Sequence, residues 1–64
     1  MSEHHFTTAD LVGCVQRELR MREQVYGRRV AELKMTPTKA GLEIAMMRAV
    51  LERLETHLRA ERLL

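Results

Sequence analysis

The chain is poorest in the residues that staple or punctuate small folds. Its one cysteine, Cys14, excludes a disulfide within the chain. Its one proline, Pro37, leaves a single place where a helix must stop or start. The three glycines, Gly13, Gly27 and Gly41, lie too far apart to form a phosphate-cradling loop. There is no tryptophan, and Phe6 and Tyr26 are the whole aromatic complement, so little is on hand to stack on bases or fill a wide core. No apolar run approaches the roughly 18 residues that would cross a bilayer, and no membrane association is expected. The start, Met1-Ser2-Glu3-His4-His5, lacks the pattern of a secretory signal, so the expected compartment is the cytoplasm.

What is present is amphipathic helix. Hydrophobic residues make up 45% and charged residues 31%, a balance that folds rather than staying disordered. Eleven Lys and Arg against nine Asp and Glu give a formal charge of +2, with the signs interspersed. The sequence pI near 9.2 therefore overstates how basic the surface is. With 64 residues there is room for one domain that buries a small share of its surface. Without a disulfide or a metal to staple it, association is the remaining route to stability.

The expected fold is all-α: a tail over residues 1–6, helix one over about 8–34, and helix two over about 37–62, folded back as an antiparallel hairpin. Thr7 is placed as the N-cap of helix one, with Asp10 at its third position and Phe6 stapling onto Leu11. Val12, Val15, Leu19, Tyr26, Val30 and Leu33 then recur on one face, with Arg22 and Arg29 in phase with them. Thr36-Pro37 supplies both a cap and a first helical residue for helix two. There the seam Ala40, Ile44, Met47, Leu51, Leu54 and Leu58 steps by four and three in alternation. Met46 and Val50 form a second row, and Leu42, Ala45 and Ala49 a third side, more than one neighbouring helix can cover. The hairpin is therefore expected to dimerise into a four-helix bundle, with Met46, Met47, Val50, Leu51 and Leu54 at the dimer interface. The interior glycines read as tolerated weak points, Gly27 alternatively as a place where a backbone approaches or helix one bends. Solvated faces are expected to carry the pairs Glu18–Arg22, Arg28–Glu32, Arg48–Glu52 and Glu55–Arg59.

Catalytic chemistry is not expected. No nucleophile, base and oxyanion donor occur together, and no carboxylate pair has the spacing for acid and base work. Cys14 is expected to be a small buried side chain. His57 reads as a surface residue that could pair with Glu61, and His4 and His5 as neighbours in a tail without the fixed ligands of a metal site. No cofactor and no metal are expected. Two binding classes stay open. A protein-binding face is expected at Arg22, Tyr26 and Arg29 with Met21 and Met46, because arginine, aromatic and methionine side chains are enriched at interfaces. The alternative is a nucleic-acid-binding row of Arg17, Arg20 and Arg28, which share a helix face with Gln24 but are interleaved with Glu18, Glu23 and Glu32.

Three blocks carry a family resemblance. The run Glu18–Tyr26, containing Met21-Arg22-Glu23-Gln24-Val25-Tyr26, the turn Lys34-Met35-Thr36, and Glu43-Ile44-Ala45-Met46-Met47-Arg48-Ala49-Val50 resemble small uncharacterised helical proteins of bacteriophages and prophages, in which MRExVY, KMT and EIxxMxAV blocks recur. The resemblance covers most of residues 18–55. The family often has proline directly after the tyrosine, where this chain has Gly27. The resemblance implies a phage origin and a bacterial host. It implies no activity and no catalytic or binding residues, and makes a small dimeric binder and inhibitor of a host regulatory or defence protein the leading class of function.

Overall fold

The computed structural model describes residues 4–63; the first three residues of the expected tail, and residue 64, lie outside that range. Two helices, α1 (Thr8–Ala31) and α2 (Pro37–Arg62), pack against one another, and the described residues contain no strand. The start of α1 is closed by a reciprocal capping box. The Thr7 hydroxyl accepts from the Asp10 amide, and the Asp10 carboxylate accepts from the Thr7 amide, each at 3.0 Å. At the start of α2 the Thr36 side chain accepts from the Lys39 amide at 3.1 Å, with Pro37 at the first helical position. Thr36→Ala is expected to cost about 1 kcal/mol and lower the melting temperature by about 4–8 °C, with Pro37→Ala costing less. An unchanged melt for Thr36→Ala would mean that α2 is capped from another residue.

α1 stops at Ala31, three residues short of the expected end at Lys34. The Lys34 amide donates to the Arg29 carbonyl at 2.8 Å and the Leu33 amide to the Val30 carbonyl at 3.0 Å, the paired bonds of a Schellman closure. That closure puts Leu33 in the left-handed region at φ 59, a position glycine usually fills. The chain must reverse between Ala31 and Pro37, and the closure achieves this at a conformational cost of about 1–2 kcal/mol. Leu33, expected on the helix-one stripe, is instead 92% exposed.

The core is thin. Val12, Leu19 and Ala40 are the buried residues among those described. Val15, Tyr26 and Val30 on α1, and Ile44, Met47, Leu51, Leu54 and Leu58 on α2, are half-buried along the line where the helices meet. The Cα trace measures 47 × 32 × 14 Å, with a radius of gyration of 15.0 Å. A compact domain of this length would have a radius near 11 Å. The hairpin is a single layer, whereas a stable domain stacks at least two. A Cβ added at Gly27 or Gly41 would meet nothing within 4 Å, so no neighbour inside the hairpin requires either glycine.

Candidate interaction faces

Two cross-helix hydrogen bonds label the two sides of the hairpin. On one side the Thr8 hydroxyl donates to the Glu61 carboxylate at 2.6 Å; on the other the Arg48 guanidinium donates to Glu23 at 3.1 Å. At 3.6 residues per turn, Leu11, Val15, Arg22, Val25 and Arg29 fall on the Thr8 side of α1, and Met46 and Val50 on the Glu61 side of α2. The surplus apolar rows of both helices therefore share one face. Met46 is 49% and Val50 46% exposed there, and Leu11 is also exposed. Met47, Leu51 and Leu54 lie half-buried on the row that meets α1.

This arrangement brings together groups that the sequence pattern points to for two purposes. Arg22, Tyr26, Arg29 and Met46, the expected partner-binding set, lie on or at the edge of the same side as the expected dimer residues Met46 and Val50. Met21 does not join them; it is exposed on the back of α1, pointing away from α2. Arg22 is half-buried, its Nε 3.8 Å from Glu18, a contact at the long end for an ion pair and of small energetic weight.

The basic row lies on the back of α1, where Arg17 and Arg28 fall near Met21 and away from α2, with Arg20 turned toward the Glu23 side. Arg17, Arg20 and Arg28 are exposed, and none of them pairs with a carboxylate among the described residues. The expected Arg28–Glu32 pair does not form, because the Schellman closure carries Lys34 to within 3.0 Å of Glu32. Nor does Arg48–Glu52, since Arg48 reaches across to Glu23. Arg59 donates to Thr56 instead of pairing with Glu55, whereas Glu18–Arg22 and His57–Glu61 do form, the latter at 3.2 Å.

Cys14 is exposed, contrary to the expectation of a buried side chain. It sits on the outer flank of α1, beside a shallow groove that also takes in Phe6, Leu11 and Arg17, and α2 does not reach it. Phe6 and Leu11 thus share a groove, while the Phe6 ring stacks on His4 at 5.8 Å. The described residues hold no group of three or more His, Cys, Asp and Glu able to bind a metal, and no helix among them is long and apolar enough to cross a membrane.

A feature not anticipated from the sequence is the hairpin's closed end. A groove there is lined by Tyr26, Val30, Leu33, Met35 and Pro37, with Arg29, Lys34 and Lys39 at its rim. Helix periodicity, extended through Leu33, hid it; the nearest signal was the cluster of cations around the turn. No protein-family model, no curated protein and no solved structure matches the chain.

Proposed function

We propose that this chain is a phage-type protein–protein interaction module, non-enzymatic, that pairs with a second copy into a four-helix bundle and binds and inhibits a regulatory or defence protein in the cytoplasm of a bacterial host. The observation that carries the interaction reading is the single-layer hairpin with Met46, Val50 and Leu11 exposed on one face. Apolar side chains gathered on one face of a small protein mark a site of association. The phage and host parts rest on the MRExVY, KMT and EIxxMxAV blocks. Partner binding is assigned to Arg22, Tyr26 and Arg29, with Met46 as the apolar contributor and Met21, on the back of α1, outside the face. The test is affinity capture from host lysate. Wild-type protein should retain one host protein in stoichiometric amount, and Arg22→Ala with Tyr26→Ala should lose it while keeping the helical signal, since arginine and aromatic side chains dominate interface energetics. A double variant that folds and still captures the protein would move the site elsewhere.

The second reading, a nucleic-acid-binding accessory protein, is favoured by one observation: Arg17, Arg20 and Arg28 are all exposed and make no ion pair among the described residues. Phosphate contacts would make binding fall steeply with added salt, and an apolar protein interface would not. Retention of nucleic acid that vanishes at raised salt, with loss in Arg17→Ala and Arg20→Ala, would replace the first reading with the second.

A further inference from the structure

The charge of this chain is concentrated at the closed end. Residues 28–39 carry four cations (Arg28, Arg29, Lys34 and Lys39) against one carboxylate, Glu32, a net of +3 where the whole chain has +2. The remainder is therefore slightly acidic. Lys34 pairs with Glu32, whereas Arg28, Arg29 and Lys39 make no ion pair among the described residues. Between Arg29 and Lys39 lies the groove, its apolar lining drawn from Tyr26, Val30, Met35 and Pro37. At its edge stands Leu33, 92% exposed and held at φ 59. A leucine there gives up both the backbone ease of glycine and the burial of its own side chain, so folding alone does not account for it.

We propose that this end of the hairpin docks an acidic segment of a partner protein, one in which Asp and Glu flank a large apolar side chain. The apolar anchor sits in the groove against Leu33, Tyr26 and Pro37, and the flanking carboxylates meet Arg29 and Lys39. A concave apolar floor suits a peptide side chain better than a phosphate backbone, which needs cations without a greasy centre. It also suits a peptide better than a lipid surface, which would meet a flat or protruding apolar cluster. This inference rests on the protein-interaction reading and specifies the partner's chemistry. It places the contact at the closed end of the hairpin, where Tyr26 and Arg29 border the Met46 and Val50 face and Leu33, Lys34 and Lys39 extend the site beyond it.

The probe is a fluorescein-labelled synthetic peptide with Asp and Glu flanking a Leu-Phe pair, compared with the same peptide carrying Asn and Gln, with phosphatidylserine vesicles and with single-stranded DNA. The full chain should bind the acidic peptide and not the neutral one. Arg29→Glu with Lys39→Glu takes the end from +3 to −1 and should weaken binding at least tenfold. Leu33→Gly should weaken it as well while raising the melting temperature by about 4 °C, because glycine relaxes the left-handed position. A merely structural leucine would give the higher melting temperature with binding unchanged, and that result overturns the proposal. So does binding that survives the double charge reversal, equal binding of the neutral peptide, or vesicles or DNA bound through Arg29 and Lys39 in place of the peptide. Capture of a host protein that is indifferent to both Leu33→Gly and the charge reversal would leave the interaction module standing and refute this site; failure to capture any host protein would instead count against the module itself.

Discussion

Met46→Asp combined with Val50→Asp is expected to turn a particle of twice 7.5 kDa into one of 7.5 kDa at micromolar concentration. A compact protein of this mass exposes about 4,250 Å². This chain exposes 5397 Å², an excess of about 1,100 Å². Even with a few hundred Å² of that assigned to the chain ends, the remainder is close to the roughly 800 Å² per partner of a standard stable interface. Met46 and Val50 are its exposed apolar residues on α2, and in an isologous pair each would meet the same face of the other copy. Four carboxylates brought together across such a pair would lose water and repel one another, a cost of several kcal/mol. The variant's helices should still form, since neither residue is on the row that meets α1, but with a lower melting temperature. Wild-type stability should rise with protein concentration and the variant's should not. Wild-type protein that sediments at the single-chain mass across the micromolar range would remove the four-helix bundle from consideration. By contrast Leu51→Glu and Leu54→Glu fall on the half-buried row and should disrupt the hairpin itself.

The parts of this fold legible in the sequence are those set by local chemistry. Thr7 with Asp10, and Thr36 with Pro37, are caps whose geometry depends on residues within one turn, and the structure holds both. The seam from Ala40 to Leu58 was likewise readable, because a heptad repeat has only one way to face a single neighbour. What could not be read depended on the other helix or on a break in periodicity. Arg48 has Glu52 one turn away, yet Glu23 on α1 holds it, a choice set by the lateral register of the hairpin. Cys14 shares an apolar flank with Leu11 and Val25, and nothing local says that α2 fails to reach it. Leu33 is the largest departure. Its spacing from Val30 continues the helical stripe, and the Schellman closure of which it is the left-handed residue lacks the glycine that would have announced it. The candidate docking groove follows from that one misplacement, since it exists only because the chain turns at Leu33 and not after Lys34.

The second large effect is expected from Leu19→Ala. Leu19 is 6% exposed, the most enclosed of the buried residues, and lies near the middle of α1. Truncating a buried leucine costs about 2–5 kcal/mol through lost transfer energy and the cavity left behind. A core of this size supplies no more than about 3–5 kcal/mol in total. The variant should therefore lose most of its helical far-ultraviolet signal at low micromolar concentration, while Leu42→Ala, truncating a residue exposed on the outer side of α2, should change stability by less than about 0.5 kcal/mol. Raising the protein concentration should recover part of the Leu19→Ala signal if a second copy covers the Met46 and Val50 face, since mass action then adds to the weakened hairpin. A Leu19→Ala protein that melts like wild type would mean that the contact between α1 and α2 contributes little, leaving the second layer to hold the helices together. Loss of structure that no concentration restores would put the stability inside the hairpin, and a concentration-dependent recovery would divide it between the two layers.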